Sequence, residues 1–418
     1  MKWSHTSIGE HCTVTSSKRF HLSDRSNSGI PFFCSKEIIQ KIKGEEITEC
    51  DYIREEAYES VKKQFGVPKC GDLLITTRGT YGIPYVYKEN DKFYFADGNL
   101  TWLKDFDRNL HVKFLYYWIL SYDGQKRIDA IAKGTAQKAV PISLIKKLEI
   151  PLPPIDIQIR IADILSAYDD LIENNRKQIK LLEEAAQRLY KKWFIDLRFP
   201  GYEDTPIHDG IPEGWERKSV LDCLEMHIGG GWGKETLDGK NVYEGKVIRG
   251  TDINDIKSGN YADVPIRYHS ENDIKKRKLK PGDIVFELSN GNINNIGRSL
   301  FIDEHILSHC GENTICASFC KLFRPKDKCH AVLLYLEIQD MQSSSRMLPY
   351  KKHGSNGINN FAFEDFLQHE FLIPKDRQTL KPFEVFLSKI SNTQSQMALL
   401  SESRDRLLPK LMNGEIEL

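Results

Sequence analysis

Apolar positions follow two alternating textures along the chain. In the first, short apolar runs at 73–77, 85–87 and 93–96 are bounded by glycine, proline and polar turn formers, which predicts β-strands. A run at 112–120 has the length and content of a buried helix. After Pro151-Leu152-Pro153-Pro154 the texture changes: Ile157, Ile161, Ile164, Tyr168 and Leu171 recur at 4-3-4-3 spacing. The spacing resumes at Leu182, Ala186, Leu189 and Trp193, with Asn175 and Gln178 read as an interruption. The same succession then returns, with strands at 284–288, 299–302 and 315–323 and a helix at 331–339. A second seam follows through Phe383, Leu387, Ile390, Met397, Leu400, Leu407 and Leu411, broken at Thr393-Gln394. Narrow seams of this period are those of coiled coils, and two in one chain most simply bury each other. The alternative is that each packs on its own domain.

The returning texture is a sequence repeat. Lys69-Cys70-Gly71-Asp72-Leu73-Leu74-Ile75 matches Lys280-Pro281-Gly282-Asp283-Ile284-Val285-Phe286. Trp3 with Ser7-Ile8-Gly9-Glu10 matches Trp215 with Ser219-Val220-Leu221-Asp222, and Glu149-Ile150-Pro151-Leu152-Pro153 matches Glu370-Phe371-Leu372-Ile373-Pro374. In the helices, Glu184 and Arg188 answer to Glu402 and Arg406, each pair four residues apart on one helix surface. The fold class is therefore α+β: two mixed α/β domains in tandem repeat, each followed by a long helix. The expected organisation is a first domain at 1–153, a helix at 154–198, a linker at 199–211, a second domain at 212–374 and a second helix at 375–418. A helix of 35 residues spans roughly 50 Å, more than one turn of B-DNA at about 34 Å, so the pair has the length of a spacer.

Composition narrows the class. With 418 residues the chain holds two domains, and no apolar run reaches membrane-spanning length. Nine cysteines, an odd number, are scattered through it, and the N-terminus lacks an apolar signal region, so a reduced cytoplasmic protein is expected. Formal net charge is zero, which argues against a protein that merely coats DNA but permits specific binding through local patches.

The loops between strands carry the candidate chemistry. Thr77, Arg78, Thr80 and Tyr81 flank a Gly-containing turn in the first domain, and Thr135, Gln137 and Lys138 lie in a second loop. Ser289, Asn290 and Asn292, with Ser355, Asn356, Asn359 and Asn360, take those places in the second domain. Arg and Lys suit guanine, and Asn and Gln suit adenine, so these are candidate DNA-binding residues; ordinary hairpin turns are the plainer reading of each. The run Lys275-Lys276-Arg277-Lys278 is a further candidate for phosphates or a solvated face. The candidate coiled-coil and partner-docking residues are Ile161, Ile164, Tyr168, Leu171, Leu182, Leu189, Trp193, Ile390, Met397, Leu400 and Leu407.

Catalytic readings fare poorly. Leu152-Pro153-Pro154-Ile155 lacks the polar residue that an adenine methyltransferase places before its paired prolines. Gly229-Gly230-Gly231-Trp232-Gly233-Lys234-Glu235 misses the P-loop, with Ile228 at the first glycine and Glu235 at the hydroxyl, and reads as a flexible loop. Cys310, Cys316, Cys320, Cys329 and His330 lack paired zinc spacing. Asp238, Glu244 and Lys246 are no more a nuclease triad than chance provides. No catalytic residue and no metal site is assigned.

The Gly71-Asp72-Leu73-Leu74-Ile75 turn, the stretch from Gly134-Thr135-Ala136-Gln137-Lys138 to Pro154, and the terminal Leu407-Leu408-Pro409-Lys410-Leu411-Met412-Asn413-Gly414-Glu415-Ile416 together resemble the specificity subunit of type I restriction–modification systems. The resemblance covers nearly the whole chain and its motifs occur twice, though Ile373-Pro374-Lys375-Asp376 departs from the fuller proline run. It implies two target-recognition domains, each reading one half of a split double-stranded DNA target. It implies an antiparallel helix pair that sets the unread spacer. It implies two methyltransferase subunits docked around the helices, joined by restriction/translocase subunits. S-adenosylmethionine, ATP and magnesium then belong to those partners, with no cofactor on this chain. A catalytic enzyme with a divergent site and a scaffold that binds no DNA are the competing readings.

Overall fold

The computed structural model describes residues 3–44, 47, 49–134, 138–354, 357–416 and 418. They form two compact units: residues 1–171 with 400–418, and residues 172–399. Each long helix contributes a segment to both units, so a unit is a domain plus a piece of each helix rather than a continuous stretch of chain.

In the first unit, strands Thr13–Thr15, Leu100–Lys104, Leu73–Thr76 and Pro84–Val86 form an antiparallel sheet in that order. Leu73 and Ile75 enter one core with Phe114, Leu115 and Trp118 of the helix Val112–Leu120. Leu74 enters the opposite core with Tyr85, Phe95 and Trp102. Burial on both faces explains why the strand reads as an unbroken apolar run rather than an alternating one.

The second unit repeats this plan. Leu224–Gly229, Cys320–Pro325, Ile284–Glu287 and Ser299–Phe301 form the corresponding sheet. Ile284 and Phe286 face a core that includes Val332 and Leu336 of the helix Lys328–Ser343, and Val285 faces the other way. The Gly-Asp turns superimpose in their bonding. Gly71 and Gly282 have φ of +90° and +91°, a region glycine enters at no steric cost. Their N–H groups donate to Tyr87 and Ile302 carbonyls at 2.9 and 2.8 Å. The next residue's carboxylate accepts the backbone N–H three residues back, Lys69 to Asp72 at 2.9 Å and Lys280 to Asp283 at 2.7 Å.

One predicted strand is corrected. The run at 315–323 is two strands: Ile315–Cys316 pairs in parallel with Val247 and Ile248 in a separate sheet, and Cys320–Pro325 belongs to the main sheet. A chain that changes sheets must turn between them, and it does so at residues 317–319. The segment at 199–211 is folded, not a bare connector. Phe199 lies 4.7 Å from Trp215, centroid to centroid, and Ile207–His208 pairs with Ile211–Pro212.

The first long helix, Ile155–Tyr190, runs on through a π turn at Lys191–Ile195; the second, Lys381–Met412, follows a 3-10 turn at Arg377–Leu380. In the first unit Ile161 and Leu165 share a core with Leu411 and Met412. In the second, Ala186, Tyr190 and Phe194 share a core with Leu380 and Phe383. The start of each helix thus meets the end of the other, which makes the pair antiparallel.

The seam register also differs from the expectation. Ile172 is 4% exposed and Asn175 8%, whereas Leu171 is 51% exposed and stands outside the seam. A 3-4 repeat through Ile161, Leu165, Tyr168, Ile172, Asn175, Ile179, Leu182 and Ala186 is continuous, so Asn175 occupies a seam position instead of interrupting it. Thr393 and Gln394 are likewise buried in the second helix, and Gln394 Nε2 donates to the Lys257 carbonyl at 3.0 Å. Ile161, Ile390 and Met397 are buried as expected; Ile164, Tyr168, Leu182, Leu189, Trp193, Leu400 and Leu407 are half-buried.

Candidate nucleic-acid interface

In each unit the same end of the main sheet brings two distant loops together. In the first, Thr77 leaves the strand with its N–H donating to the Asn99 carbonyl at 2.8 Å and its own carbonyl accepting from Val140 N at 2.9 Å. Arg78 and Lys133 each bridge to Ala139. The loop after the strand and the loop before residue 140 therefore lie side by side, with Arg78, Lys133 and Lys138 all exposed. No hydrogen-bond partner engages the Arg78 side chain among the described residues. Thr80 is exposed at the tip, next to Gly79 at φ +74°. Tyr81 donates to Asp129, which also pairs with Lys138 at 3.4 Å. The bonds from Tyr81 and then Lys138 hold the Asp129 carboxyl below its ordinary range, and that charge raises Lys138.

The second unit makes the equivalent arrangement with fuller pairing. Leu288 N donates to the Phe319 carbonyl at 2.9 Å, as Thr77 does to Asn99. Ser289 and Asn290 pair with Asn360 and Asn359, and Lys351–Lys352 pairs on the other side of Asn359–Phe361. The Ser289 hydroxyl donates to Asn360 Oδ1 at 2.9 Å. Beneath the loop, buried Glu287 pairs with Arg298 at 2.8 Å and accepts from Asn290 Nδ2 at 2.7 Å.

Three candidate residues change role on this geometry. Thr77 and Asn359 are buried, and Asn359 Nδ2 donates to the Gly291 carbonyl at 2.9 Å. Asn290 spends its amide on Glu287 and on Asn292 N. Side chains committed inward position the loops and leave little to offer a base edge. Arg78, Thr80, Lys138, Asn292 and Asn360 remain outward. Thr135, Gln137, Ser355 and Asn356 lie outside the described residues. Lys133 opens the candidate loop that runs to Lys138 in the sequence, and the bridge to Ala139 sets it beside Arg78. In the basic run, Arg277 pairs with Asp273 and Lys278 with Glu312, which leaves Lys275 and Lys276 outward.

The glycine-rich loop is packed rather than loose. Gly230 N and Gly231 N donate to the Cys320 and Cys316 carbonyls at 3.0 and 2.9 Å, and Lys234 exchanges two backbone bonds with Tyr268. Among the described residues no three side chains gather as a metal site, and no helix is long and apolar enough to cross a membrane.

Comparison with known proteins agrees with this architecture. Residues 1–184 match the family described as type I restriction modification DNA specificity domain. The chain is 26% identical over 379 residues to the specificity subunit of the type I restriction enzyme MjaIX of Methanocaldococcus jannaschii, covering 83% of this chain and 78% of that one. It is 28% identical to a putative type I restriction enzyme specificity subunit of Haemophilus influenzae, over 44% of this chain and 45% of that one. The crystal structure of a type I restriction–modification S subunit from M. genitalium matches with a TM-score of 0.53 over 98% of this chain and 96% of that one, at 16% identity. The fold is thus that of tandem-domain specificity subunits. The chain is thus similar to type I restriction–modification specificity subunits over most of its length, and its first 184 residues match their DNA specificity domain.

Proposed function

We propose that each unit of this chain reads one half of a bipartite double-stranded DNA target, and that the chain itself carries out no covalent step. The observation that carries this reading is the equivalence of the two loop pairs. The same backbone pairing presents Arg78 and Lys138 in one unit and Asn292 and Asn360 in the other. One frame with unlike outward side chains suits two unlike half-sites.

The antiparallel helices set the unread spacer and dock two methyltransferase subunits. Exposed Leu171, Leu181, Val385 and Leu399 support a docking role, since the described residues leave half or more of each side chain open. Restriction/translocase subunits complete the assembly, and S-adenosylmethionine, ATP and magnesium act on those partners. A cytoplasmic location follows from the DNA substrate.

The test is single-molecule sequencing of adenine methylation in host DNA, with this chain present or deleted and its partners retained. Loss of one split adenine motif on deletion is the expected result. An unchanged methylation map overturns the reading and brings the scaffold alternative forward.

A further inference from the structure

The turn that breaks the run at 315–323 carries an unusual side chain. Ala317 and Cys320 are buried, yet Phe319 between them is 60% exposed. The turn is fixed, not floppy: Cys320 N donates to the Ala317 carbonyl at 2.8 Å, and the Phe319 carbonyl accepts from Leu288 N at 2.9 Å. The second of these bonds sets Phe319 beside Ser289, where the candidate DNA-reading loop begins.

The glycine-rich loop braces the other side of the same turn. Its N–H groups at Gly230 and Gly231 bond the carbonyls of Cys320 and Cys316, which flank the turn. A Cβ at Gly230 would lie 2.1 Å from the Ala317 carbonyl oxygen, so only glycine permits this approach. A Cβ at Gly233, φ +74°, would meet the His269 ring at 2.7 Å. Between these two packed glycines stands Trp232, 40% exposed, with the Arg267 guanidinium 4.8 Å from its ring centroid. The glycines that resemble a nucleotide loop serve instead to pack that loop against the Phe319 turn.

The first unit lacks this feature. By the shared bond to the strand end, its counterpart of Phe319 is Asn99. The exposed aromatic ring on this turn is therefore a property of one half of the molecule.

We propose that Phe319 is a specificity-determining contact of the second unit, reading a thymine through its 5-methyl group. This rests on the DNA-reading function proposed above. An exposed apolar ring on a fixed turn, at the base of a loop that carries Ser and Asn side chains, matches a major-groove edge, where polar atoms read base heteroatoms and the thymine methyl is the apolar mark.

The test uses the full chain with its methyltransferase subunits and the host genome as probe. Phe319→Ala is expected to relax the methylated motif at one T·A position of one half-site, leaving the other half and the spacer unchanged. Phe319→Leu, which keeps an apolar contact, is expected to retain the preference. On oligonucleotides of the mapped motif, uracil in place of that thymine should weaken wild-type binding about fivefold and leave Phe319→Ala indifferent. A Phe319→Ala motif identical to wild type overturns the proposal, as does equal methyl sensitivity in both proteins. Unstacking of 2-aminopurine at the contacted step by wild type alone also overturns it, in favour of a wedge. If no split motif depends on the chain at all, the DNA-reading function itself fails, an outcome distinct from these.

Discussion

Arg404 on the second helix donates from Nη1 to Asp169 Oδ1 on the first at 2.7 Å, while the Tyr117 hydroxyl donates to the other carboxylate oxygen at 2.6 Å. One carboxylate thus joins both helices to the helix Val112–Leu120 of the first domain. Burial, with the Asp169 charge beside it, raises the Tyr117 pKa, so the phenol stays a donor at any physiological pH. Asp169→Ala removes both bonds. The expected loss is about 1–3 kcal/mol, the range for hydrogen bonds to a charged group. Amide exchange over residues 155–171, beside melting of the full chain, reads it locally. A double-mutant cycle with Arg404→Ala should show positive coupling; strictly additive losses would mean the pair does not act as a unit.

The second unit uses a more buried carboxylate with the roles exchanged, the acid on the domain helix Lys328–Ser343 and the tyrosine on the first long helix. Glu337 is 1% exposed and accepts from Tyr190 at 2.7 Å, Arg346 at 2.9 Å and His369 Nε2 at 2.7 Å. Burial alone would raise its pKa, but the bonds from His369, Arg346 and Tyr190 prevail and hold it below the ordinary value. A depressed carboxyl contributes stability that is complete above the unfolded pKa, about 4.3, and is lost as pH falls through the folded one. Wild type is expected to lose stability below about pH 4.5 in part through this group. Glu337→Gln should cost about 1–3 kcal/mol at neutral pH, the range for lost hydrogen bonds to a charged group, since Arg346 keeps its ion pair with Asp340, and should flatten the acid limb. An acid limb of unchanged slope in the variant would show that other carboxylates govern it.

Arg78 is an exposed cation of the first loop pair whose side chain is free of partners among the described residues. Arg78→Ala is expected to relax the methylated motif at one position of one half-site, with about 1–3 kcal/mol of discrimination lost there. It should leave the melting temperature within error, because the side chain is exposed and bonds to no other described residue. A motif weakened evenly across all positions would instead mark Arg78 as a phosphate contact, with a lower salt slope.

Leu181 and Leu399 are exposed on the long helices although each lies in an apolar stretch. Leu181→Asp and Leu399→Asp should alter the stability of the isolated chain by no more than about 0.5 kcal/mol. Co-purification with the methyltransferase subunit should be lost. Retained assembly in both variants would move the docking surface elsewhere.

The repeat, the two long helices and the strand content were legible because they are written in period and in Gly-Asp turns. The failures share a cause. Leu171 was placed in the seam and Asn175 outside it because side-chain polarity was read as position, whereas a coiled-coil seam tolerates a polar residue at one layer. The run at 315–323 was read as one strand since apolar content cannot reveal that its halves pair in different sheets. Thr77, Asn290 and Asn359 have the chemistry of base readers, but burial and inward bonds decide whether that chemistry faces out. Aligning Ala96-Asp97-Gly98-Asn99 with the start of the second run would have exposed the turn at 317–319 from sequence alone.

Pairing of the helices along their seams makes the spacer experiment specific. Seven residues inserted into one helix alone would leave two turns without a partner and are expected to destabilise the pair. A heptad inserted into both helices, at matched seam layers, preserves every a/d contact and adds about 10 Å. At about 3.4 Å per base pair, the unread spacer of the methylated motif should lengthen by about three base pairs. The two half-site sequences should be unchanged, since neither loop pair is touched. Adenine methylation mapping reads both at once. A longer helix pair with an unaltered spacer would show that the distance is fixed by the partner subunits, and the helices would then keep only their docking role.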